Sequence, residues 1–147
     1  MDLSQDFKEF VQLLNKNNVE YLVVGGYAVT AHGYPRYTGD IDFWIKPELE
    51  NAHRVILALH EFGFGEVDIT IEDLIVKDNV IQLGFPPNRI DILTSVSGVT
   101  FEECWKEKSE IMIDGEKIHF ISLRHLRINK EKTGRTQDKL DLENLPE

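Results

Sequence analysis

The sequence predicts an α+β (mixed α/β) chain, a small mixed β-sheet flanked by helices. Three observations predict it. Short apolar runs of strand length, such as Tyr21–Val24 and Ile41–Ile45, are ended by glycine or proline. Between such runs lie segments whose apolar residues recur at helical spacing. Asp114-Gly115, between two further runs, is the strongest hairpin signal in the chain. No internal repeat, low-complexity segment or linker interrupts the 147 residues. The expectation is one domain over residues 1–147, with helices from about 122 to 145 at its C-terminal end.

Each element has its own warrant. Ser4 is placed to cap a helix whose apolar face is Phe7, Phe10, Val11, Leu13 and Leu14, and Asn15–Asn18 stop it. Tyr21–Val24 reads as a buried strand ended by Gly25-Gly26. Tyr27–His32 reads as a short helix closed by Gly33, which Pro35 forbids from continuing. Ile41–Ile45 is a second strand. Pro47 ends it and opens a helix carrying Leu49, Ala52, Val55, Ile56, Leu59 and Phe62, stopped by Gly63. Ile81–Phe85 and Arg89–Leu93 are strand candidates joined through Pro86-Pro87-Asn88. Phe101–Lys106 suggests a helical turn. Ile111–Ile113 and Lys117–Ile121 flank Asp114-Gly115. Ser122 caps a helix toward Thr133, closed by Gly134. A last helix starts near Thr136, with Leu140, Leu142 and Leu145 as its apolar positions.

Composition narrows the classes. Hydrophobic residues make up 41% and charged residues 29%, a folded rather than a disordered balance. No apolar run approaches the roughly 20 residues of a membrane span, and the acidic N-terminus lacks the regions of a signal peptide. A soluble cytoplasmic protein without a membrane role is expected. The single cysteine, Cys104, excludes an intramolecular disulfide and a zinc site built on cysteine pairs. The net charge of −10 disfavours nonspecific coating of nucleic acid. The charge is uneven, however. Lys117–Lys139 holds seven basic residues against Glu131 and Asp138, a local +5 that leaves −15 elsewhere. Such a stretch is a solvated helix face or a seat for an anion.

The chemistry centres on Gly25-Gly26 and Asp40-Ile41-Asp42. Residues two apart on a strand share a face, so Asp40 and Asp42 project two carboxylates together while Ile41 and Phe43 face the core. Paired carboxylates repel unless a cation or proton intervenes. Mg²⁺ favours a few carboxylates together with substrate phosphates. An exposed strand edge blunted by acids is the plainer alternative. Gly25-Gly26 lets the backbone turn sharply and approach a ligand, and the helix beyond it aims N–H groups at an anion. An ordinary strand-to-helix turn reads the same way. Asp91, between Ile90 and Ile92, points away from both. If its strand adjoins that of Asp40 and Asp42, three carboxylates converge and can hold two metals.

Together these residues resemble the DNA polymerase β-like nucleotidyltransferase superfamily: a strand ending in Gly25-Gly26, a helix, Asp40-x-Asp42 on the next strand, and Asp91 on a later one. Tyr21–Ile45 resembles in particular the small bacterial and archaeal members, many of them linked to toxin–antitoxin or abortive-infection systems. The C-terminal stretch, Lys130-x-Lys132-x-Gly134-Arg135-x-x-Asp138-x-x-Asp141-Leu142, resembles them too. The resemblance is weak between Glu66 and Asn79.

The resemblance implies the nucleotidyltransferase fold and transfer of a nucleoside monophosphate from an NTP to a hydroxyl acceptor. That acceptor is RNA or tRNA, a protein or a small molecule. Asp40, Asp42 and Asp91 would be catalytic and would bind Mg²⁺, two ions, with Mn²⁺ as a substitute. Gly25 and Gly26 would cradle the triphosphate. Arg36 and Thr38 precede Asp40 in one loop and, with Lys130 and Arg135, are the other nucleotide-binding candidates. Lys130 is preferred to Lys132, which lies on a different helix face. Arg89 reads as charge balance for Asp91. An antitoxin or helical partner is a further expectation. A second reading is a nucleotide-binding or partner-binding regulatory module without transfer. The histidines show no ligand spacing, Trp44 and Trp105 read as packing residues, and Cys104 as an inert apolar one.

Overall fold

The computed structural model describes residues 1–65 and 68–147. Glu66 and Val67, at the start of the weakly matching stretch, lie outside the described residues.

The first helix, α1 (Gln5–Lys16), is capped by Ser4, whose hydroxyl accepts from the Phe7 N–H. Its buried face is Phe7, Phe10, Val11 and Leu14. Strand β1 (Tyr21–Val24) is buried along its whole length. Helix α2 (Gly25–Ala31) follows without a loop, so Gly25 and Gly26 are its first two residues rather than a turn before it. Strand β2 (Asp40–Ile45) begins one residue earlier than the apolar run suggests. Helix α3 (Leu49–Leu59) gives way to a wider π turn, His60–Phe64, in which Gly63 takes φ 102°.

A short helix, α4 (Ile71–Ile75), was not expected. Thr70 and Asp73 cap it reciprocally, and that pairing of a Thr with an acid three residues on was its signal. Strand β3 (Val80–Leu83) stops two residues before Phe85, because Gly84 turns at φ 79°. Strand β4 (Arg89–Leu93) and helix α5 (Phe101–Lys106) fall as expected. Strands β5 (Ser109–Ile113) and β6 (Glu116–Phe120) form the hairpin, with Asp114 and Gly115 both at positive φ as a type I′ turn requires. Helix α6 (Leu123–Thr133) is capped by Ser122 and closed by left-handed Gly134, and α7 (Thr136–Asn144) follows.

The strands form one mixed sheet in the order β3-β4-β2-β1-β6-β5. β2 runs antiparallel to β1 and parallel to β4. Alternation along β2 sends Phe43 to one face, where it meets Phe10 of α1, and Trp44 to the other, where it meets Phe101 of α5. Asp40 and Asp42 share the Trp44 face. Both faces are therefore covered near the middle of the sheet, while the start of β2 stays open.

Of the three leucines expected on the last helix, Leu145, which caps the end of α7, is buried. Leu140 is exposed, and the residues the helix itself buries are Asp138 and Asp141, both at 0% exposure. A helix can bury two carboxylates only against cations, and α6 supplies one. Among the described residues, no helix is long and apolar enough to cross a membrane.

Candidate active site

Register places the carboxylates. Asp42 stands opposite Asp91 across the parallel β2–β4 pair, and Asp40 stands opposite Arg89. Side chains directly opposite on adjacent strands project to the same face. Asp40, Asp42 and Asp91 therefore converge, each offering an oxygen within 4.8 Å of the others. They are the group of metal-ligating side chains found among the described residues. An all-carboxylate donor set suits a hard divalent cation.

The charges are not left alone. Arg89 donates to Asp91 through Nε at 2.9 Å and Nη2 at 3.0 Å, and its Nη2 also donates to Asp40 Oδ2 at 2.9 Å. The guanidinium thus bridges two of the three acids, more than the balancing of Asp91 read from the sequence. Asp42 has no such bridge. Burial, then the negative charges of Asp40 and Asp91, push its carboxyl up to about 7. Burial likewise raises Asp91, with Arg89 working against the shift. For Asp40 burial acts upward, but its shared site with Asp91 and the hydrogen bonds donated by Arg89 and Thr38 outweigh it and hold the group below the usual carboxylate range.

The glycines set the approach. Gly25 takes φ 65°, and a Cβ there would overlap Asp42 Oδ2. A Cβ on Gly26 would lie 2.8 Å from Thr38 Oγ1 and 3.2 Å from Arg36 Nη1. Gly25 thus lets the start of α2 approach Asp42, and Gly26 lets it approach the Arg36–Thr38 loop. Thr38 donates from its hydroxyl to Asp40 Oδ1 at 3.2 Å, fixing the loop to the first acid.

The basic candidates divide. Arg36 holds Asp141 with two bonds, Nε–Oδ1 at 2.8 Å and Nη2–Oδ2 at 3.0 Å, while Nη1 donates to the Tyr37 carbonyl at 3.4 Å and lies beside Gly26. Arg135 holds Asp138 in the same way, at 2.8 Å and 3.1 Å, with 72% of its side chain exposed. It lies close enough to Asp42 to feel its charge. Lys130 corrects the expectation that it faces the phosphates. It is 3% exposed, and its ammonium sits 3.1 Å from both Asp138 and Asp141. It is therefore a buried counter-ion for the two acids that hold the arginines. Hydrogen bonds from Arg135, Thr133 and Lys130 keep Asp138 well below the usual carboxylate range despite its burial, and Arg36, Gln137 and Lys130 do the same for Asp141. The sequence reading missed this relay. Its signal was the spacing of Lys130, Asp138 and Asp141 on neighbouring helices.

The remaining singled-out residues are structural. Trp44 is buried, Trp105 stacks on Phe101 with the Lys108 ammonium 4.1 Å over its ring, and burial pushes the Cys104 thiol up to about 12.

Comparison with known proteins bears on family and fold. The family described as nucleotidyl transferase of unknown function (DUF2204) matches residues 3–147. The fold is similar to the crystal structure of a "putative nucleotidyltransferase" from Thermotoga maritima, with a TM-score of 0.63 and 19% identity over 93% of this chain and 88% of that one. At that identity the likeness is one of fold. No protein of curated function matches the sequence.

Proposed function

The chain belongs to this family of nucleotidyl transferases, and from that premise we propose that it moves a nucleoside monophosphate from an NTP to a hydroxyl acceptor at Asp40, Asp42 and Asp91. The single observation that carries the reading is the convergence of the three carboxylates, with oxygens within 4.8 Å, beside the glycine-lined start of α2.

The three acids fit divalent metal. Three carboxylates share one bridging guanidinium, that of Arg89, so the cluster carries negative charge that a divalent cation would offset. Asp40 and Asp42 would hold Mg²⁺, with Mn²⁺ as a substitute, and Asp91 would complete the set. When bound, the metal would neutralise triphosphate charge and favour ionisation of the attacking hydroxyl.

The chain's own residues do the rest. Gly25 lets the start of α2 close on Asp42, and Gly26 lets it close on Thr38 and Arg36, so phosphates would meet this backbone beside the acids. The Arg36 guanidinium, beside Gly26, and the exposed Arg135 guanidinium, near enough to Asp42 to feel its charge, are the cations assigned to the phosphates, and Asp141 and Asp138 hold them in place. Thr38 fixes Asp40. Asp91 receives the proton of the acceptor hydroxyl as the oxygen of that hydroxyl bonds the α-phosphorus. The bond from that phosphorus to the β-phosphate bridging oxygen breaks, and pyrophosphate leaves. Positioning and fixed charge supply most of the rate in phosphoryl-type transfer.

Calorimetry with a non-hydrolysable NTP tests the site. Wild type is expected to bind it far more tightly with Mg²⁺ than without, and Asp42→Asn to lose that metal dependence. Equal binding by both proteins with and without metal would remove the acids from the nucleotide site.

A further inference from the structure

A cavity of about 450 Å³ opens beside the acid cluster. Its wall is rich in hydroxyls, with Ser4, Tyr27, Thr30, Tyr37 and Thr38 among the lining residues. Nucleotidyl transfer ends on a hydroxyl oxygen, so each of these is a candidate acceptor that the chain itself supplies.

Four of them are committed or enclosed. Ser4 caps α1. Thr38 donates to Asp40. Tyr27 is half-buried, edge-on to Phe7. Burial first, then the charges of Asp40 and Tyr37, raise its phenol, which therefore keeps its proton. Thr30 is half-buried on α2, more than one turn beyond Gly25.

Tyr37 differs. Its residue is 78% exposed, and among the described residues no hydrogen bond occupies its hydroxyl. Its carbonyl accepts from Arg36 Nη1, which ties its backbone to the loop of the site. The ring does not point away from the acids. Its hydroxyl comes back over Gly39, 3.5 Å from where a Cβ of that glycine would stand, and Gly39 directly precedes Asp40. Pro86, just before the strand of Asp91, flanks the same glycine at 3.2 Å from that point. The charge of Tyr37 also reaches Tyr27, which feels Asp40 as well. A free, water-accessible phenol thus stands at the open ends of the two strands that carry the acids.

We propose that Tyr37 is a self-modification site, its phenolic oxygen accepting the nucleoside monophosphate. The proposal rests on the nucleotidyl-transfer reading and names an acceptor for it. The Tyr37 oxygen bonds the α-phosphorus of the NTP. The bond from that phosphorus to the oxygen bridging to the β-phosphate breaks, and pyrophosphate leaves with the electron pair. The phenolic proton passes to Asp91 and from there to water. The product is a phosphodiester on the tyrosine. An exposed ring on a loop can reach the acids of its own chain or those of a second copy, and the two routes separate by experiment.

The test uses the full chain with Mg²⁺ and each common NTP in turn, read by intact mass and by peptide mapping. The expected result is a single nucleoside monophosphate on the chain, mapped to Tyr37, with release of pyrophosphate. Asp42→Asn is expected to lose it. Tyr37→Phe removes only the hydroxyl. It should lose the adduct yet keep the wild-type melting temperature and the metal-dependent binding of a non-hydrolysable NTP. Tyr27→Phe should keep the adduct. Wild type is then mixed with isotopically heavy Asp42→Asn. An adduct on the heavy chain supports transfer between copies, and an adduct on the light chain alone supports transfer within one. An adduct that persists in Tyr37→Phe or Asp42→Asn overturns the proposal, as does the absence of any adduct on wild type. Transfer of α-label to an added acceptor without an adduct would overturn it while leaving nucleotidyl transfer standing. Absence of both adduct and transfer, with NTP binding that ignores metal, overturns both readings.

Discussion

Asp42 stands directly opposite Asp91 on the parallel strands β2 and β4, and that one register brings the second and third acids of the cluster onto a single face. A slip of either strand by one residue would send one of them into the opposite core. The cluster is therefore as rigid as the middle of the sheet, and its properties follow from charge rather than from loop motion.

Neutralising Asp42 should separate function from folding. Asp42→Asn is expected to cut nucleotidyl transfer by about a hundredfold or more, the scale on which removal of one fixed electrostatic group acts. It should leave the metal-free melting temperature equal or higher, because the variant removes a carboxylate that burial and two like charges disfavour. Scanning calorimetry with an activity assay checks both halves.

The pH dependence of metal stabilisation has a defined sign. The Asp42 carboxyl titrates near 7 in the folded protein, above its ordinary value, so folding favours its protonated form. Its contribution is fully present below the unfolded value and is lost as pH rises through about 7. A divalent cation must displace that proton. The rise in melting temperature caused by Mg²⁺ should accordingly be larger one pH unit above this value than one unit below it. The same comparison on Asp42→Asn should show a smaller dependence on pH.

Arg89 is the resident cation of the site. Arg89→Met removes the bridge between Asp40 and Asp91, leaving three acids without internal compensation. Its melting temperature without metal should fall, and the rise on adding Mg²⁺ should exceed that of wild type. Thermal melts with and without Mg²⁺ decide the matter.

Lys130 supports the two arginines from beneath. Lys130→Met takes the buried ammonium from two fully buried carboxylates that keep only Arg135 and Arg36 as cations, and losing its charged hydrogen bonding is expected to cost about 1.5–3 kcal/mol. Exposed Lys132→Ala should change stability by less than about 0.5 kcal/mol. Denaturant unfolding measures the contrast. Asp138 also sets an acid limit. Its folded value is depressed, so its contribution is present above the unfolded carboxylate value and lost as pH falls toward the folded one.

Much of this fold could be read from residues, and the exceptions have physical causes. The Ser4 and Ser122 caps, the Asp114-Gly115 hairpin and the buried run Tyr21–Val24 are local signals, and the structure keeps them. Placement of Asp40, Asp42 and Asp91 on one face was legible through alternation, but their convergence depended on β2 and β4 being neighbours, a long-range fact. Helix α4 was missed because its five residues carry little periodicity and only its capping box marks it. Lys130 was misplaced because a basic residue on a helix reads as exposed. Only the pairing of α6 with α7 shows Asp138 and Asp141 waiting for it.

The most direct test of nucleotidyl transfer at the acid cluster follows the fate of each phosphate. The protein is incubated with Mg²⁺, a mixture of RNA and protein acceptors, and NTPs labelled at either the α- or the γ-phosphate. The expected result is label from the α-position joined to an acceptor, label from the γ-position leaving in pyrophosphate, and neither event with Asp42→Asn. Transfer of γ-label to the acceptor, or equal α-labelling by wild type and Asp42→Asn, would contradict it.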